Sequence, residues 1–313
     1  MRASLTVLTE ELRRLKASGL KTVVVPGESL DRLRAAVAGL ARAAAPSAPA
    51  APVASVSVEA GAATSNASAA PAARKRPPNP APAPTAVAGP ALPPTPTVVM
   101  PEGDKPTRWN WLRQHVVEHP VCREHVRPGK QVVFGVGNLD ARIFFCGEAP
   151  GAEEEVQGEP FVGPAGELLT RMIGAMGLKR GDVYIGNIMN WRPQLPTAAG
   201  AEQMGNRPPT SDELRFCLPF LQAQLKIVQP RVVVALGATA AKGLLGEASF
   251  RALGEVRGSW HEFDGIPVRV TYHPSYILRN NTNRSKRAIW EDLLAVMERV
   301  EHPITERQRS YFL

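Results

Sequence analysis

The chain has 313 residues, with 37 Lys and Arg against 29 Asp and Glu and a formal net charge of +8. Thirty prolines and an aromatic share of 6% argue against a chain folded throughout, and no apolar run reaches membrane-spanning length. The excess of base admits a polyanionic partner, nucleic acid first, beside the blander reading of a solvated basic surface.

Residues 1–42 hold too little apolar material for a core of their own. Leu5, Leu8, Leu12 and Leu15 recur at heptad-like spacing. That spacing predicts a short amphipathic helix, docked on a partner, on itself or on the main domain. Charges interrupt the segment, which leaves no signal-peptide apolar region. Residues 43–106 form an Ala/Pro-rich tract with almost nothing large to bury, read as a disordered linker with a weak DNA contact at "ARKRPP". Cys122, Cys146 and Cys217 are irregularly spaced, which fits a reducing, cytoplasmic setting rather than a disulfide framework.

Residues 107–302 suit one domain. "ARIFFCGE" (141–148) predicts a buried strand, "PAGELLTRMIGAMGL" (164–178) a helix and "DVYIGNIMN" (182–190) a second strand. "TSDELRFCLPFLQAQLKIVQP" (210–230) opens on a capping signal, Thr210 or Ser211 with Glu213, and predicts a long helix. "RVVVALG" (231–237) is a third strand running into the helix "ATAAKGLLG"; "IPVRVTYHP" (266–274) is a fourth, and "SKRAIWEDLLAVMERV" (285–300) a closing helix. The alternation predicts an α/β fold, a three-layer α/β/α arrangement around a central, mainly parallel four-stranded sheet. Ligands of such sheets bind beyond the carboxyl ends of the strands. Those ends carry Glu148, Asn187, Gly237 and His273. After the first strand comes "GEAPGAEEEVQGEPFVGPAG" (147–166), four carboxylates and one Phe among glycines and prolines expected to exclude a regular helix.

In order, "GEAPG", "GEPFVGPAG", "YIGNIMNWRP", "NRPPTSDELRFC", "VVALGATAAKGLLG" and "YHPSYILR" resemble the motifs of the uracil-DNA glycosylase superfamily, and most closely its type 4, iron–sulfur branch. The resemblance covers about 107–300. It implies an enzyme that hydrolyses the N-glycosidic bond of uracil in DNA and leaves an abasic site.

Chemistry gives the residues matching tasks. A base must leave the duplex to be reached, so a pocket needs a stacking surface, an edge reader and a donor for the departing anion. Phe161 is the candidate surface; the plain alternative is a ring plugging its loop onto the domain. Asn187 can accept from uracil N3–H and donate to O4, where cytosine presents the opposite pattern; otherwise it bonds its own loop. His273 can donate to O2 as charge develops there, or serve as a structural cap. Gly147 and Ala149 are expected to line the base; by the resemblance, Ala149 stands where the classical uracil-DNA glycosylases carry the water-positioning aspartate, a departure shared with the type 4 branch. Glu154 is assigned to water and sugar, Glu148 to loop geometry and base contact, and Glu153 and Glu155 to solvent. Gly147, Gly151, Gly158 and Gly163 are assigned to close backbone approach. Tyr276, Ile277 and Leu278 are candidate wedges, and Arg279, Arg284, Lys286 and Arg287 candidate phosphate contacts, against the alternative of a solvated basic helix start.

Type 4 enzymes, by the resemblance, hold a 4Fe–4S cluster on four cysteines. Only Cys122 and Cys217 match; the others read His119 and Trp191, and Cys146 reads as core. The expectation is therefore no cofactor and no metal, with Trp191 filling the space. The extra sequence "QLPTAAGAEQMG" (194–205) is expected to loop out on the surface. In the tail (303–313), Gln308, Ser310, Tyr311 and Phe312 resemble a sliding-clamp-binding peptide, unless the aromatics fold back. The expected protein is a monomer of the bacterial cytoplasm and nucleoid acting on uracil-containing DNA. Two alternatives stay open: a broader choice of deaminated bases, or a non-catalytic DNA-binding relative.

Overall fold

Apolar runs long enough to be covered on both faces build the centre of the sheet. In the computed structural model, which describes residues 92–197 and 201–313, every residue of Ile143–Gly147 and Val232–Leu236 is buried. The expected helix in residues 1–42, "ARKRPP" and most of the linker lie outside the described residues.

Six strands are ordered β1-β3-β2-β4-β6-β5: β1 Val136–Gly137, β2 Ile143–Gly147, β3 Tyr184–Asn187, β4 Val232–Leu236, β5 Trp260–Phe263 and β6 Ile266–Thr271. The central four pair in parallel. The two edges, β1 on β3 and β5 on β6, are antiparallel. The expected four-stranded parallel sheet is thus the core of a mixed six-stranded one. Its missed hairpin turns on Asp264 and Gly265, both at positive φ, the conformation that an Asp-Gly turn supplies.

The helices are α1 Lys105–Val117, α2 Pro120–Glu124, α3 Ala152–Gln157, α4 Pro164–Ala175, α5 Ser211–Val228, α6 Ala238–Leu245, α7 Pro274–Arg279, α8 Asn283–Arg299 and α9 Glu306–Arg309. Side chains of a strand alternate between faces, and the two layers follow. Ile143, Phe145, Val232 and Val234 pack with α4 and α8 through Leu169, Ile173, Leu293 and Val296. Phe144, Cys146, Val233 and Ala235 pack with α5 and α6 through Leu221, Leu225, Ala240 and Leu244. A third cluster joins α1 to the outer face of α5 around Trp191. The buried Tyr184 hydroxyl links these parts, accepting from Trp109 Nε1 at 2.8 Å and donating to Gln224 Oε1 at 3.1 Å.

Three expectations change here, and of the two readings of the tail the folded-back one is observed. The domain starts before residue 107: Asp104 caps α1, and Leu92, Val98 and Met100 pack on the third cluster. The acidic loop does hold a helix, α3, because three glutamates in its first turn suit the positive end of the helix dipole and Gly158 ends it in a left-handed conformation. The extra sequence is not simply on the surface: Gln203 is buried and bonds the backbone of Pro193, Leu195 and Gly205. The tail is packed, not free. Gln308 is buried, donates to Ala175 O at 2.9 Å and accepts Thr305 N–H at 2.8 Å, and Tyr311 lies against Trp290.

Candidate active site

The carboxyl ends of β2, β3, β4 and β6 open into a cavity of about 650 Å³. Among the residues lining it are Glu148, Ala149, Glu154, Phe161, Asn187, His273 and Arg279, from the strand ends and the loop after β2. The sequence-predicted groups thus meet in one place.

Gly147 makes the slot between them. A Cβ at this position would lie 2.3 Å from Asn187 Oδ1 and 2.5 Å from Phe161 Cζ. Any side chain there would occupy the gap between ring and carboxamide. Asn187 Oδ1 is buried and has no hydrogen-bond partner. An unpaired buried acceptor costs free energy, about 1–3 kcal/mol, unless a ligand supplies the donor.

Phe161 is buried, with its ring centroid 5.7 Å from that of His273. Its φ of 55° is a left-handed value that costs a non-glycine residue on the order of 1 kcal/mol. Sequence reasoning missed the residue beneath it. A Cβ on Gly166 would come within 1.8 Å of Phe161 O, so α4 can pack directly on this turn only through glycine.

His273 caps α7. Its Nδ1 accepts the Ser275 N–H at 3.2 Å and lies 2.8 Å from Ser275 Oγ. An accepting Nδ1 leaves the proton on Nε2. Burial, helped by the Arg279 charge, pushes the pKa of His273 down to about 4, so the ring is a neutral donor at physiological pH.

The carboxylates divide differently from expectation. Glu154 Oε2 accepts Gly151 N–H at 3.1 Å, and Oε1 accepts the Val162 and Gly163 N–H groups at 3.2 Å each. Both its oxygens hold the loop, which the sequence did not foresee. Glu148 is half-buried; burial raises its pKa and the Thr239 hydroxyl partly offsets the rise. Glu155 is not solvated: its Oε1 accepts Arg192 Nη1 at 2.8 Å, with both side chains almost fully buried. Arg192 also bonds Asn206 Oδ1 at 2.8 Å and Gly205 O at 2.8 Å, tying α3 to the segment before Arg207. Glu153 is exposed as expected.

On α7, Ile277 is buried and drops out as a wedge, while Leu278 is 47% exposed. Tyr276 stacks on Tyr272 at 4.4 Å. Arg284 is exposed. Lys286 sits 5.9 Å from the Phe312 ring and Arg287 donates to Arg309 O and Tyr311 O, so both side chains reach the tail.

Cys122, Cys146 and Cys217 are free and buried. Burial pushes the Cys122 thiol up to about 12 and holds Cys217 well above the usual thiol range, with the nearby Cys122 adding to the rise. His119 Nδ1 and Trp191 Nε1 are buried without partners. His119 precedes the helix of Cys122 and packs against Phe216 and Phe220.

The family profile of the Uracil DNA glycosylase superfamily matches residues 134–294. A type-4 uracil-DNA glycosylase of Thermotoga maritima is 44% identical over 183 residues, 58% of this chain and 89% of that protein. Those of Pyrobaculum aerophilum (39%, 50% of this chain and 78% of the relative) and Archaeoglobus fulgidus (42%, 46% and 70%) are similar as well.

These relatives overturn the expectation of no cofactor, since type 4 is the branch for which the resemblance implies a 4Fe–4S cluster. At the positions that the resemblance matches to cluster ligands, the described residues offer two thiols, Cys122 and Cys217, and the unpartnered His119 Nδ1. Trp191 brings only an N–H, so a four-cysteine set does not fit these residues. Profile, relatives and the order of the motifs along the strand ends agree: this chain belongs to the uracil-DNA glycosylase superfamily, in its type 4 branch.

Proposed function

We propose that this protein excises uracil from DNA by hydrolysing its N-glycosidic bond, leaving an abasic site. The observation that carries the reading is the unpartnered Asn187 Oδ1 facing Phe161 across Gly147. A flipped uracil stacks on Phe161, gives its N3–H to Asn187 Oδ1 and takes a bond from Nδ2 at O4. Neutral His273 donates through Nε2 to O2, where charge grows as the bond breaks. Glu148, its basicity raised by burial, orients the water; Glu154 keeps the loop closed and adds negative charge near the sugar. Leu278 wedges the stack, with Arg279 and Arg284 on phosphates and Tyr276 supporting the helix. Clamp binding by the tail would require Gln308 and Tyr311 to leave their packed positions.

The test is purified full-length protein on single- and double-stranded oligonucleotides carrying uracil, hypoxanthine or a thymine mismatch, read by alkaline cleavage of abasic sites. Cleavage at uracil is expected. Its absence would refute the reading, and equal cleavage at hypoxanthine would favour the broader base range.

A further inference from the structure

Phe161 holds a backbone conformation that phenylalanine rarely adopts, and its flanking peptides are gripped from both sides. Arg180, in the short turn Arg180–Asp182, donates through Nη2 to Pro160 O at 2.6 Å. Its Nη1 reaches Thr170 Oγ1 on α4 at 3.4 Å. On the other side Glu154 takes the amides of Val162 and Gly163. Gly166 closes the third direction by meeting the Phe161 carbonyl. Arg180 is half-buried; burial lowers its pKa, while the Glu159 and Glu154 carboxylates favour its charged form.

We propose that Arg180 is a positioning residue for base excision: with Glu154 it clamps the turn Pro160–Gly163 and fixes the Phe161 ring before the base arrives. The proposal rests on the stacking reading of Phe161. A preset ring loses no freedom when uracil binds; a loose one must be ordered at that moment, which weakens binding of the base and the transition state alike. The DNA backbone does not touch Arg180 in this reading, so affinity for DNA without a base is spared.

The test uses the full chain with Arg180→Gln, Arg180→Lys, Phe161→Ala and the Arg180→Gln/Phe161→Ala pair. Measured are kcat/KM on a uracil oligonucleotide, inhibition by free uracil, affinity for DNA with a tetrahydrofuran abasic analogue, and Tm. Arg180→Gln is expected to weaken uracil inhibition and kcat/KM by about tenfold or more, with abasic-analogue affinity within about twofold. Arg180→Lys, which keeps the positive charge with its N–H donors on a single nitrogen, is expected to recover part of the loss. On the Phe161→Ala background, Arg180→Gln is expected to add little, since coupled residues are non-additive. Additive losses, or unchanged uracil inhibition in Arg180→Gln while Phe161→Ala weakens it, would overturn the clamp. A parallel fall in abasic-analogue affinity and Tm would reassign Arg180 to general support and overturn it too. Unchanged uracil inhibition in Phe161→Ala would instead overturn the stacking reading, and the clamp's purpose with it.

Discussion

Gly147 and Asn187 are register partners in neighbouring parallel strands, and a methyl on the first would overlap the carboxamide oxygen of the second. The strand pairing that builds the sheet therefore also sets the width of the base slot. Gly147→Ala is expected to lower kcat/KM for uracil by at least about a hundredfold, because the methyl stands where the base must lie. Affinity for abasic DNA should persist. Activity within a few-fold of wild type would show that the base lies elsewhere.

Asn187→Asp exchanges the O4 donor for an acceptor, which suits the amino group of cytosine. Uracil excision should fall by about 10- to 100-fold, from a lost pairing of roughly 1–3 kcal/mol, and the ratio of cytosine to uracil excision should rise. Rates on matched oligonucleotides measure it, and a constant ratio would count against Asn187 as the reader.

His273 should stay neutral, with its proton on Nε2, throughout pH 5.5–8, because its pKa is depressed to about 4 by burial and by Arg279. Ring nitrogen shifts in NMR read both the charge and the tautomer. The stability consequence has a fixed sign. Between about pH 6.5 and 4 the unfolded chain binds a proton here that the folded one refuses, so stability falls as pH falls through that window. His273→Gln should flatten this slope. A ring titrating near 6.5 would contradict the neutral-donor assignment.

Ending the chain at Arg307 removes the Gln308 bonds to Ala175 and Thr305 and uncovers Trp290. The expected cost is about 2–3 kcal/mol, the sum of a few hydrogen bonds and a half-buried tyrosine, seen as a lower Tm. Full-length and shortened chains should be compared on a bacterial clamp as well. Clamp binding by the full chain alone would mean that the packed tail opens, and equal binding would leave the tail a structural element.

The central sheet was legible because β2 and β4 are continuous apolar runs of strand length, and the strand ends pointed to Glu148, Asn187 and His273. The edges were not. β1 is two residues long, and β5, "WHEF", is half-exposed and carries polar residues, though Asp264-Gly265 spells a hairpin turn. α3 hid behind its glycines, although its glutamates and Gly158 spell a short capped helix. Glu155 read as solvated because Arg192, its partner, lies 37 positions away. Arg180 was unreadable for a related reason: its task is a bond to a backbone carbonyl, and a carbonyl has no letter in the sequence.

One feature of the cavity reaches beyond catalysis. Its base-facing groups come from separate segments between residue 147 and residue 273, brought together at the ends of parallel strands. Parallel pairing closes long loops before it returns any contact energy. Recognition should therefore be all-or-none in the folding of the chain: a partly formed sheet would present Phe161 without Asn187, or Asn187 without His273. Nascent or proteolysed fragments would then hold no weakened grip on bases, which spares DNA from a half-assembled hydrolase.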